Sequence, residues 1–186
     1  MREIQYPSHY RRNFLCLATD FCFFGVALAF IGSNTVFPSF LNTLGASPAL
    51  IGLTSTLQRA GWFLPQLFAA RYVANKRYKK PYVLLPASIS RSLMLGLAIL
   101  VWAFGAGSPS VLIPLVIVIL TVFWLGDGSC SVSWFDLMSK VIPPRRRGRL
   151  TGVGQITSGV LGFLAGFVVE WMLSDRGFAF PNNYAA

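Results

Sequence analysis

Five stretches of this sequence are long and apolar enough to cross a lipid bilayer as helices, and they leave little else to fold. They run over about 14–36, 49–70, 82–104, 111–138 and 150–173. A bilayer's hydrocarbon core is about 30 Å thick and a helix rises about 1.5 Å per residue, so about 20 mainly apolar residues make one crossing. Barrel strands would instead show about 10 residues of alternating polarity. Five crossings in 186 residues leave no room for a soluble domain, so the expected fold is an all-α polytopic membrane protein. Residues 1–13 and 174–186 form short segments at the two ends. Turn residues mark the links: Ser33, Asn34, Pro38, Asn42, Gly45 and Pro48 in the first, Gly105, Gly107, Ser108 and Pro109 in the third, Pro143 and Pro144 in the fourth.

Charge is scarce but one-sided. Only 12% of residues are charged, against about 25% in soluble domains, yet the formal charge is +10. Disorder requires low hydrophobicity, which a chain that is 54% hydrophobic lacks. The bases also do not form a nucleic-acid patch, because they fall in three places. Arg2, Arg11 and Arg12 precede the first stretch. Arg71, Lys76, Arg77, Lys79 and Lys80 follow the second, and Lys140, Arg145, Arg146, Arg147 and Arg149 follow the fourth. The other two links, about 34–48 and 105–110, carry no charge. Basic loops alternating with uncharged ones are the positive-inside pattern, which predicts a cytoplasmic N-terminus and an external 174–186 segment in a plasma (inner) membrane. The lipid bilayer is thus one expected partner, and nucleic acid is not. Arg11 and Arg12 ahead of Phe14 look like an export signal, but Asp20 interrupts the apolar region that such a signal needs.

The polar residues inside the apolar stretches are the candidates for function. A charge at mid-bilayer is costly and usually faces a cavity or another charge. Asp20 lies roughly 9 Å, Arg91 roughly 13 Å and Asp127 roughly 16 Å from the basic side, counting 1.5 Å per residue, and Arg59 sits a little further in. Two acids and two bases at similar depth fit either a structural ion-pair network or a polar pathway for solute or proton. Asp20 and Asp127 are the favoured pathway groups, because a carboxyl in low dielectric can exchange a proton near neutral pH. Asp136, at the basic end of its stretch, is expected to pair with the basic loops. Ser129, Ser131 and Ser133 are expected to bond neighbouring carbonyls. Gly152, Gly159 and Gly166 recur every seven residues, and Gly162 stands four before Gly166. Such a smooth stripe lets another helix approach closely, so these four are read as helix-packing positions.

No enzyme class fits. The chain lacks a His cluster, a Cys–His pair, metal-ligand spacing and a phosphate-cradling glycine loop, so neither a metal nor a cofactor is expected. Cys16, Cys22 and Cys130 read as small buried hydrophobes.

Three segments carry a family resemblance. Leu44-Gly45-Ala46-Ser47-Pro48-Ala49-Leu50-Ile51-Gly52-Leu53 is similar to the start of the second helix in the major facilitator superfamily. Asn75-Lys76-Arg77-Tyr78-Lys79-Lys80 occupies the place of that family's motif between helices two and three. Lys76, Lys79 and Lys80 keep its basic positions, while Asn75 replaces the usual Asp and Tyr78 the usual Gly. The segment from Trp134 through Asp136 to Pro143-Pro144, then Arg147-Gly148-Arg149 and Gly152, resembles the loop between helices four and five. The Gly-Pro motif of the drug–proton antiporters has no counterpart, since no Pro interrupts 150–173. The resemblance implies a secondary transporter that moves a small solute by alternating access, with the proton as a candidate coupling ion. It implies gating loops built from Asn75, Lys76, Lys79, Lys80, Asp136, Arg147, Gly148 and Arg149, with Asp136 bound to loop arginines. Such transporters have two six-helix halves, so the chain is expected to be a fragment of one half, cut after its fifth helix, with the C-terminal half of the same transporter as a partner. A small membrane scaffold or accessory subunit is the alternative.

Overall fold

In the computed structural model of the protein, residues 9–105 and 107–186 are described. Arg2 and most of the 1–13 segment lie outside them. Every regular element among the described residues is a helix: α1 (Tyr10–Ile31), α2 (Val36–Thr43), α3 (Pro48–Ala74), α4 (Lys80–Phe104), α5 (Pro109–Val141), α6 (Pro144–Leu173) and the short α7 (Asn182–Ala185).

Local chemistry sets the ends of these helices. α1 stops at Ile31 because Gly32 turns left-handed (φ 51°), and its N–H returns to the Leu28 carbonyl. The apolar stretch continues past this break as α2, which tolerates Pro38 in its first turn, where no backbone donor is needed. Ser47 caps α3 by accepting from the Leu50 N–H, and Pro48 opens the helix. Pro109 and Pro144 open α5 and α6 in the same way. The prolines expected to separate the fourth and fifth crossings do so, but Pro144 is already the first residue of α6, which therefore begins before residue 150. Arg145, Arg147 and Arg149 lie on the first turns of α6, not in a loop.

Among the described residues, four helical segments are long and apolar enough to cross a membrane: Tyr10–Thr43, Lys80–Phe104, Pro109–Val141 and Pro144–Leu173. α3 has the length, with 27 residues or about 40 Å, but Gln58, Arg59, Gln66 and Arg71 lower its hydropathy. Large apolar side chains cover the outside of the bundle, among them Phe68, Leu85, Leu95, Trp102, Ile156 and Phe163. Exposure on that scale would make a water-soluble protein aggregate, and suits a surface solvated by lipid.

α5 is the axis of the packing, with α3 along one side and α4 along the other, while α1 lies along α6. Glycines make these approaches close. A Cβ on Gly128 would collide with the backbone carbonyl oxygens of Gly61 and Trp62 on α3. One on Gly126 would stand 3.3 Å from the Ser90 Cβ on α4. Between α1 and α6, Gly25 abuts Ser158 and Gly154 abuts Phe21, whose ring carbons would lie 2.7–2.8 Å from an added Cβ. The predicted glycine stripe is not this interface. Gly162 approaches Ala29 at 3.5 Å, while Gly152, Gly159 and Gly166 face open space. Their seven-residue spacing puts them on one face of α6, but α1 lies along another.

Two apolar clusters close the ends. Phe40, Leu41, Leu97, Val101, Leu112 and Val116 pack at the uncharged end, where Tyr184 of α7 stacks 4.9 Å from Phe40. Leu17, Met138, Ile142 and Leu150 pack at the basic end. Of the cysteines only Cys130 is buried. Cys22 is half-buried and Cys16 exposed, because α1 is covered mainly along its α6 side.

Candidate functional site

The close passage of α5 between its neighbours places Asp127. Successive helix residues point about 100° apart, so Gly126 facing α4 and Gly128 facing α3 leave the side chain between them directed across the gap. That side chain lines a cavity of about 330 Å³. From α5 come Asp127, Cys130, Ser131, Trp134 and Phe135, one helical face. From α1 come Asp20, Phe21, Phe24, Gly25 and Leu28, again one face. Trp62 of α3 and Arg91 of α4 complete it.

The charges in this cavity are close but unpaired. Asp127 is 5% exposed, and its Oδ2 has no hydrogen-bond partner among the described residues. Arg91 and Asp20 line the same cavity. No ion pair within 4 Å joins Arg91 to either carboxylate among the described residues. Its guanidinium instead sits over the Phe24 ring, 5.8 Å from the centroid. Asp20 is more open, and its Oδ2 accepts the Trp134 indole N–H at 2.8 Å. That bond ties α1 to α5, beside the Phe21 ring, 6.0 Å from the Trp134 ring. Arg59 does not line the cavity. It is exposed on α3 and makes no ion pair among the described residues. Of the serines, Ser129 and Ser131 donate to the carbonyls of Leu125 and Gly128, both at 2.8 Å, while the buried Ser133 hydroxyl has no partner among the described residues.

At the basic end the charges are knit together. The Lys79 side chain is 3% exposed, and its Nζ lies 2.8 Å from Asp136 Oδ2. The same ammonium donates to the Val73 and Ala74 carbonyls, the free end of α3. One lysine thus closes the C-terminus of α3, begins α4 as its N-cap, and holds α5. Lys140 adds a looser pair with Asp136 at 3.8 Å. Arg147 donates from Nη2 to the Ser139 carbonyl at 2.6 Å and from Nε to the Ile142 carbonyl at 3.2 Å, capping α5 from α6. Cations at a helix C-terminus are favoured by the backbone dipoles there. The partner of Asp136 is therefore Lys79 with Lys140, while Arg147 binds backbone. Asn75 caps α3 through its backbone, and Lys76 lies 4.6 Å over the Tyr72 ring. Lys80 and Arg149 are exposed, and Gly148 has open space beside it.

The sequence reading names two residues of these sites without foreseeing their contacts: Trp134 only as the start of a family-like segment, and Lys79 only as one base of a gating loop. Trp134 stands seven residues from Asp127 on the same helical face, a signal that the sequence does carry. Lys79 looks like any other member of a solvated basic run, and nothing in its neighbours announces its burial.

A bundle of apolar-surfaced helices around a partly charged cavity defines a polytopic membrane protein with an internal polar site. Comparison with known families gives the narrower assignment: the Major Facilitator Superfamily profile matches residues 7–166. The chain belongs to the major facilitator superfamily, a family of membrane transporters rather than of enzymes. No curated protein and no solved structure matches the chain significantly.

Proposed function

We propose that the protein moves a small solute across the membrane by alternating access, and that the cavity holding Asp20, Arg91 and Asp127 is this chain's part of the solute path. One observation carries the reading: Asp127 is buried midway along α5, lines a cavity, and keeps a carboxylate oxygen that no described residue satisfies. Buried polar groups in folded proteins nearly always have partners, so an orphan in a cavity wall is a place for something that comes and goes. Protons can couple to transport through Asp20 or Asp127. The Lys79–Asp136 and Arg147 contacts hold the cytoplasmic ends of the helices and form the gating side. In this reading α3 is the fifth crossing, its polar residues tolerated because α5 shields part of it. The N-terminus is cytoplasmic and the host bilayer is the plasma (inner) membrane.

Two measurements test this. Reporter fusions after Pro81 and Pro144 are expected to read cytoplasmic, and fusions after Gly107 and Ser174 external. Opposite sidedness at two of these points would overturn the topology. In cells expressing the protein, Asp127→Asn is expected to reduce solute uptake more than Asp136→Asn. Unchanged uptake with Asp127→Asn would remove it from the solute path.

A further inference from the structure

We infer that the cavity takes a protonated organic amine with one apolar body, its ammonium group on Asp127 and its body against the aromatic wall. The inference rests on the transport reading above and names the chemistry of its solute.

Three observations converge on this class. The first is charge. Asp20 and Asp127 face one cation, Arg91, which pairs with neither carboxylate among the described residues. The cavity therefore carries a net charge of about −1 with both acids ionised. Asp20 and Arg91 are exposed, so the buried Asp127 carboxylate is the charge that most favours a single cation. An anion would meet two carboxylates, and a dication would meet Arg91. The second is the unmet acceptor. Asp127 Oδ2 is buried without a donor among the described residues, whereas Asp20 Oδ2 is already held by Trp134. A protonated amine brings N–H donors to that oxygen, as the lysine ammonium does elsewhere in proteins. A quaternary ammonium has no N–H and leaves it unsatisfied. The third is the wall. Phe21, Phe24, Trp62, Trp134 and Phe135 line the same space. Aromatic faces attract cations and bury apolar carbon. A volume of about 330 Å³ suits a small molecule with one ring or a short alkyl body.

The test is a titration of the purified protein in detergent at neutral pH, read by calorimetry and by quenching of its tryptophan fluorescence. The probes are 2-phenylethylamine, its N-trimethyl derivative, the neutral 2-phenylethanol and the anionic 3-phenylpropionate. The amine is expected to bind saturably, with the trimethyl derivative and the alcohol about tenfold or more weaker, as loss of a charge-assisted hydrogen bond requires. No binding of 3-phenylpropionate is expected. Asp127→Asn is expected to weaken the amine by a similar factor. The proposal is overturned if the amine does not bind, if the trimethyl derivative, the alcohol or the propionate matches it, or if Asp127→Asn leaves its affinity unchanged. The order of the four probes on the unmodified protein decides the matter even where the variant fails to fold. The two readings also fail separately. Uptake of some other solute without amine binding removes the amine and keeps transport. Amine binding in the expected order, with no solute moved by cells expressing the protein, keeps the site and removes transport.

Discussion

The two charged regions of this bundle use the same residue types to opposite ends. At the basic end Lys79 and Asp136 satisfy one another, while Lys79 and Arg147 satisfy the free carbonyls of α3 and α5. In the cavity Asp20, Asp127 and Arg91 stand near each other, and a buried carboxylate oxygen goes without a donor among the described residues. A saturated cluster fixes geometry. An unsaturated one carries a standing energetic penalty, which selection tolerates where a ligand relieves it. The difference separates structural charge from functional charge within one molecule, and it can be attacked experimentally from either side.

The largest effect is expected at Lys79. Lys79→Met removes a buried ammonium, strips Asp136 of its closer partner and uncaps α3. It should lower unfolding stability in detergent by about 3 kcal/mol, the scale of a broken buried ion pair. Arg91→Met, by contrast, breaks no ion pair and should change stability far less. Equal losses at both would erase the contrast. Next in size is the glycine that positions Asp127. Gly128→Ala should cost about 1–3 kcal/mol by overpacking against α3, and should reduce uptake with it. Gly159→Ala, in open space, should stay within about 0.5 kcal/mol. Trp134→Phe keeps the ring but drops the donor to Asp20, an expected loss of about 1 kcal/mol. The smallest effect belongs to Lys140→Gln, whose exposed pair with Asp136 is worth about 0.5 kcal/mol or less.

Much of this is legible in the sequence, and most of the remainder has one physical cause. Depth along a membrane helix can be counted residue by residue, so the sequence alone sets Asp20, Arg91 and Asp127 at broadly similar depths. Rotation about the bundle cannot be counted. Arg59 looks equivalent by depth, yet its position on α3 leaves it off the cavity that Trp62, three residues on, helps to line. The glycine stripe shows the same limit. Periodicity puts Gly152, Gly159 and Gly166 on one face, but only the placement of α1 shows that Gly25, Gly154 and Gly162 make the contact. Helix starts differ in another way. Pro143 and Pro144 do interrupt the chain, but Pro144 also opens α6 before residue 150, because Pro at the first helical position is favoured where its missing donor is not needed. Lys79 is hidden for an energetic reason: a lysine is seldom buried, and its burial here depends on two carbonyls and a carboxylate contributed by α3 and α5.

The most direct test of the contrast is a paired measurement of thermal unfolding for Asp127→Asn and Asp136→Asn in the same detergent. Asp136→Asn should melt several degrees below the unmodified protein, because it leaves the buried Lys79 ammonium without its counter-charge. Asp127→Asn should melt at or above the unmodified protein, because it replaces a buried carboxylate whose Oδ2 has no donor among the described residues. A lower melting temperature for Asp127→Asn than for Asp136→Asn would contradict the division between a structural cluster and a cavity held open for solute.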